Sequence, residues 1–384
     1  MWAHYLKPVN QSTLAHIVLN SNLSLGQQIK IHTQENGIPE IEGNELAIIG
    51  VKEDRNSINN LGTGSDLSQI RKELYQLFPG NWHKKIVDLG NIEKGNEISD
   101  TYFALKEIAS YLLKKNVILI LIGGGNDILY ANYRAYDTLE QVVNLVSVDA
   151  KFDIGSLDET LSSETYLYKI IMEKPNILFN FSNIAYQTYF NSKQELDLVN
   201  SLFFDAYRLG EVSQNIAIAE PVLRDADIVS IDISAIKYTE AKANKNASPN
   251  GLTGVEICAI ARYAGLSDKV SSFGVYEYNP KLDTDSQSAK LIAQMIWYFI
   301  EGVNFRTKDY PFEKKENYKK YIVPLDEQTI NFYKSHKSDR WWMEVTTSNN
   351  KRKTTLIPCT YQDYLDACNQ NIPERWFKAL KKLN

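Results

Sequence analysis

Cysteine is scarce in this chain. Only Cys258, Cys359 and Cys368 occur among 384 residues, far apart and odd in number, so neither a disulfide framework nor a cysteine-rich zinc cluster organises the fold. A reducing cytoplasm is the expected compartment. A basic excess is also missing: the net charge is −5 and the pI near 5.7, so nucleic acid and membranes are not expected partners, despite a local Lys351-Arg352-Lys353 patch. The most apolar run, Val117 to Ile122, is far shorter than the ~20 residues that a membrane-spanning helix needs. The start, Met1-Trp2-Ala3-His4-Tyr5, has no basic region leading into an apolar stretch, so an exported protein is not expected. Histidine is sparse too, and His4, His16, His32, His83 and His336 all stand apart from the acidic segments of the chain.

What is present is an ordinary globular composition, 43% hydrophobic and 23% charged, with short apolar runs alternating with amphipathic ones. Strands are expected at 45–51, 85–89, 116–122, 142–148, 176–181, 228–233 and 271–278. Helices are expected at 66–78, 100–115, 127–136, 254–264 and 286–301. Continuous apolar strands separated by helices predict an α/β fold: a three-layer α/β/α sandwich with a mainly parallel sheet covered on both faces. The expected division is an N-terminal segment, 1–44, packed on the core, an α/β/α domain over 45–303, and a C-terminal extension over 304–384. Within the extension, Trp341 and Trp342 are most simply a packed anchor or an oligomer contact.

Three segments carry the chemistry: Gly124-Gly125-Asn126-Asp127, Asp149-Ala150-Lys151-Phe152-Asp153 and Ser230-Ile231-Asp232-Ile233-Ser234. Each comes directly after an apolar run. In an open parallel sheet, ligands bind beyond the carboxyl ends of the strands, which is where Asp127, Asp149, Asp153 and Asp232 fall. Carboxylates gathered there repel unless a cation joins them, and Lys151 or a metal would supply it. Gly123-Gly124-Gly125 lacks the spacing of a dinucleotide fingerprint and the Lys-Ser or Lys-Thr ending of a phosphate loop. Close backbone approach is the better reason for these glycines.

In order and surroundings these segments resemble the GGDH, DAHxD and SxDxD motifs of the arginase and agmatinase (ureohydrolase) family, nearest its formimidoylglutamase branch. Glu277-Tyr278-Asn279-Pro280 is similar to the family's E-x-N-P segment, and Ser162-Ser163-Glu164-Thr165 to the branch's substrate loop. The resemblance implies an arginase-like fold and a family chemistry in which hydroxide held between two manganese ions hydrolyses a C–N bond. By position it makes Asp127, Asp149, Asp153 and Asp232 the ligands of one ion, and gives Glu277 the role of binding the substrate cation. The second ion's own ligands are replaced by Lys151 and Ser234, the ammonium standing in for that ion, while Asn126, Ser163, Glu164 and Thr165 complete the crevice.

A two-manganese centre is therefore not expected, but either no ion or one divalent cation, Mn, Mg or Ca. The expected protein is a non-catalytic relative with a structural, binding or sensing role. The alternative is a C–N hydrolase of formimidoylglutamate or a related amidine or guanidine, using a mononuclear centre. A small amidine- or guanidine-like ligand and an unidentified protein partner are the expected associates. The resemblance also implies a homo-oligomer. Glu164 adds negative charge where the branch has a small residue, which disfavours an acidic substrate.

Overall fold

The apolar runs become strands buried along their whole length. In the computed structural model, which describes residues 2–155, 159–309, 315–326, 328–346 and 354–383, strands Leu46–Val51, Ile86–Ile92 and Val143–Val148 have every residue buried. A strand shielded on both faces needs a helical layer on each side. In chain order the main sheet comprises β1 (Leu6–Lys7), β2 (Lys30–Ile31), β3 (Leu46–Val51), β4 (Ile86–Ile92), β5 (Ile118–Ile122), β6 (Val143–Val148), β7 (Leu178–Tyr186), β8 (Asp205–Arg208), β9 (Ile228–Asp232) and β10 (Ser272–Tyr276). Their spatial order is β1-β4-β3-β5-β10-β9-β6-β7-β8, with β2 also on β4. All pairings are parallel except β1 with β4.

Helices cover both faces, as the continuous apolar strands require. On one side Ser68–Gln76, Gly254–Leu266 and Gln287–Asn304 pack with the sheet into one core, and on the other Ile98–Lys114, Ile128–Arg134 and Tyr166–Met172 build a second. The fold is the expected α/β/α sandwich. None of the helices among the described residues is long and apolar enough to cross a membrane. The first 44 residues contribute the short strands β1 and β2.

The extension forms a sheet of its own, which the sequence pattern did not predict: β11 (Tyr318–Pro324), β12 (Thr329–Ser335), β13 (Trp341–Thr346) and β14 (Thr354–Cys359), antiparallel in that order. Arg224 ties this sheet to the main domain. Its guanidinium donates to the carbonyls of Trp341 and Cys359, at 3.1 Å each, and lies 4.5 Å from the centre of the Trp342 ring. Both tryptophans are buried, and truncating a core indole to alanine typically costs about 3–5 kcal/mol. The Lys351-Arg352-Lys353 patch lies outside the described residues.

Strands β5, β10, β9 and β6 are consecutive neighbours. Their carboxyl ends lead into Gly123, Glu277, Asp232 and Asp149, so four adjacent parallel strands deliver the acidic segments to one crevice. At the end of β5 the chain passes through Gly124 with φ +77°, where a Cβ would lie 1.9 Å from Ile128 and 2.9 Å from the carbonyl oxygen of Glu53. Only glycine fits there, and the tight passage brings Asn126, two residues on, into the crevice.

Candidate functional site: an acidic crevice at the strand ends

Asp149, Asp153 and Asp232 each present one carboxylate oxygen, and these three atoms lie within 4.8 Å of one another. All three side chains are buried. Local turns aim them: Asp149 accepts from the Lys151 backbone N–H at 2.9 Å, Asp232 from that of Ser234 at 2.7 Å, and Asp153 adopts a left-handed backbone with φ +53°. Asn126, fully buried, wedges against them. Its Nδ2 donates to Asp149 and Asp153 at 3.3 and 3.2 Å, while its Oδ1 accepts from the Ser230 hydroxyl at 3.2 Å. Glu277 comes directly after β10, with φ +67°. Its carboxylate accepts from the Asn126 backbone N–H at 2.9 Å and from Ser57 Oγ and Asn60 Nδ2 at 2.7 Å each.

Burial is the first influence on all four carboxyls, and it opposes ionisation. Asp153 is pushed up to about 8 by burial and then by the charge of Asp232. Asp232 rises to about 6, burial being partly offset by the Ser234 N–H and hydroxyl and by Lys151. Asp149 and Glu277 lie well above the ordinary carboxylate range, through burial first, with the charges of Asp153 and Asp232 acting on Asp149 and that of Asp232 on Glu277. Four acids in one buried crevice therefore favour a bound cation, because a cation removes the cost of ionising them.

The crevice opens through a cavity of about 180 Å³, lined by those four acids with Ala150, Lys151, Ser163, Glu164, Phe190, Ser234 and Asn246, of which Phe190 is exposed and Lys151, Glu164 and Asn246 partly so. Lys151 Nζ meets Glu164 Oε1 at 2.5 Å, both side chains being 34% exposed. The ammonium thus gives its hydrogen bond to the mouth, while Asp153 and Asp149 attract it through space. Ser163 anchors the loop, accepting from the Ile58 N–H at 2.9 Å and donating its own N–H to the Asn56 carbonyl at 2.9 Å. Thr165 Oγ1 lies inside the same loop, donating to the Thr160 carbonyl at 2.8 Å and accepting from the Ser162 N–H at 2.9 Å. Of that expected substrate loop, Glu164 supplies the charge that faces Lys151.

One expected ligand is elsewhere. Asp127 is fully buried but stands outside the group formed by Asp149, Asp153 and Asp232. Its Oδ2 accepts from the Tyr102 hydroxyl, at the start of helix Ile128–Arg134. Burial, with the charges of Glu53 and Asp54, pushes it up to about 7. The side chain that reaches the crevice is Asn126, one residue earlier. The three consecutive glycines leave the motif's register open, since either pair among Gly123, Gly124 and Gly125 matches a GG motif. Placed by contact, the histidine position of that motif falls on Asn126.

The donors that suit one hard cation are the three carboxylates; the Asn126 amide turns its NH2 towards them and its oxygen to Ser230. Beside them lie the Lys151 ammonium, which has no lone pair to give while protonated, and the Ser234 hydroxyl. Ser57, Asn60, Phe190 and Asn246 were not legible as site residues. Ser57 and Asn60 lie in the polar segment Asp54 to Asn60 just beyond β3, and the strand-end rule alone would have pointed to it.

The profile described as "Arginase family" matches residues 44–301. Among curated relatives, formimidoylglutamase of Staphylococcus haemolyticus is 27% identical over 288 residues, covering 71% of this chain and 91% of that protein. Among solved structures, Trypanosoma cruzi formiminoglutamase with Mn²⁺ superposes with a TM-score of 0.65 at 20% identity, covering 74% of this chain and 99% of the other. Formimidoylglutamase from Bacillus subtilis also gives 0.65, at 17% identity, over 74% of this chain and 92% of that one. At such identities the superpositions speak to the fold.

Proposed function

This chain belongs to the arginase family, and from that premise we propose that its crevice holds one divalent cation on Asp149, Asp153 and Asp232, has lost two-manganese hydrolysis, and serves to bind a small cation-headed ligand. The observation that carries this reading is the Lys151–Glu164 pair: where the family motif has an imidazole for the second ion, an ammonium stands, hydrogen-bonded at 2.5 Å to a carboxylate of the substrate loop. A divalent ion bound by the three aspartates would offset two of their three negative charges and polarise a water molecule. The chain's own residues do the remainder. Glu277, held by Ser57, Asn60 and the Asn126 N–H, presents a carboxylate to an amidinium or guanidinium head. Asn126 fixes the spacing of Asp149 and Asp153. No histidine is among the described lining residues, so none of them offers an imidazole to move a proton to a leaving amine.

A second reading, a C–N hydrolase with a mononuclear centre, draws on Glu277, whose carboxylate lies in the same cavity as the three aspartates. Turnover separates the two. Supplied with manganese or magnesium, the protein is expected to release no amine above the blank from formimidoylglutamate, agmatine or arginine. Steady turnover that disappears in Glu277→Gln would overturn the binding role and establish the hydrolase.

A further inference from the structure

We propose, resting on the reading that this crevice binds a cation-headed ligand, that Lys151 and Glu164 form a charge-matched selector at its mouth, which admits a cation on an apolar chain and refuses one that also carries a carboxylate. Lys151 is the one cation among the described lining residues, and Glu164 occupies it at 2.5 Å. Both partners are fixed from behind: Lys151 by the turn from its N–H to Asp149, and Glu164 by the hydrogen bonds that hold Ser163 to the 56–58 segment. A ligand carboxylate entering there meets an ammonium already neutralised, and it lies against Glu164. The remaining charged lining groups, Asp149, Asp153, Asp232 and Glu277, are acids. The lining also holds one exposed aromatic ring, that of Phe190, which packs on Tyr189. Phe190 is 41% and Tyr189 65% exposed, their ring centres 4.7 Å apart, a surface on which a hydrocarbon tail gains by leaving water.

The pairing has a consequence that two independent residues would not share: its two halves act in opposite directions. Removing the acid frees an ammonium for a ligand carboxylate, and removing the ammonium leaves an acid that repels it more strongly. The probes are butylguanidinium and 4-guanidinobutanoate, which differ only in a terminal methyl against a carboxylate, titrated calorimetrically with and without manganese. Wild type is expected to prefer butylguanidinium by roughly tenfold or more, the scale of one charged contact. Glu164→Gln is expected to lower that ratio about tenfold or to invert it, Lys151→Gln to raise it, and the double variant to return it towards wild type. Far-ultraviolet circular dichroism checks that each variant is folded. A ratio unmoved by the single variants, one moved in the same direction by both, or no binding of either probe to wild type would each overturn the selector. The bound-metal count is read on the same samples, so failure of the selector stays distinguishable from failure of the one-cation reading.

Discussion

Replacing Asn126, Lys151 and Ser234 together by His, His and Asp is expected to give a protein that takes up two manganese ions and hydrolyses an amidine or guanidine at least ~10³-fold above background, a small part of what enzymes commonly achieve. Two imidazoles and a carboxylate would return to the positions that the family motifs assign to metal ligands, while Asp149, Asp153, Asp232 and Glu277 already converge. The residue chosen at the first position decides the outcome. Asp127 is bonded to Tyr102, and Asn126 contacts Asp149 and Asp153. Asp127→His in place of Asn126→His is therefore expected to add no ion and to destabilise the protein, because an imidazole would have to occupy a buried carboxylate's space. Manganese content and amine release, measured on both triple variants, check this. Equal gains from both would show that Asn126 does not hold the motif's histidine position.

The second large effect is on stability. Without metal the protein is expected to become less stable as pH rises from about 4 to about 8. Asp153 titrates near 8 in the native state against an ordinary value of 3.8. Across that interval the native state keeps a proton that the unfolded chain has released, so the unfolded state binds fewer protons and stability falls with rising pH. The stabilisation is complete below about 4 and lost as pH passes through about 8. Asp232, near 6, acts in the same direction over a narrower interval. The sum should reach several kcal/mol, since a tenfold change in acidity corresponds to about 1.4 kcal/mol. Asp153→Asn is expected to flatten the profile and to stabilise the metal-free protein at pH 8. Saturating manganese is expected to cancel the decline, because the ion binds the ionised carboxylates. Thermal unfolding from pH 5 to 8.5, with chelator and with manganese, measures this. Stability that rises with pH in chelator would contradict it.

Much of the site was legible because it obeys a rule that needs no contacts. β5, β6, β9 and β10 are continuous apolar runs, and the residues just past such a run in a parallel sheet lie at the ligand-binding edge. That rule places Asp149, Asp153 and Asp232 in the crevice and also points to Asp127, which stands apart; Glu277 was legible only through the family's E-x-N-P segment. The features that escaped depend on three-dimensional placement. Which glycine pair precedes the crevice residue is ambiguous in Gly123-Gly124-Gly125, so the motif falls as readily on Asp127 as on Asn126. Lys151 and Glu164 are 13 residues apart, and nothing in the sequence pattern joins them. The second sheet escaped for another reason. Strand β11, Tyr318–Pro324, mixes exposed and partly buried positions without regular alternation, and its lysines and tyrosines carry no clear period-two signal.

The most direct measurement of the central claim is the amount of divalent metal retained per chain, by elemental analysis of protein purified without chelator, saturated with manganese and then freed of unbound ion. One equivalent per chain is predicted, lost in Asp149→Ala and unchanged in Asp127→Asn. Two equivalents in the wild-type protein, or none, would contradict a single-cation crevice.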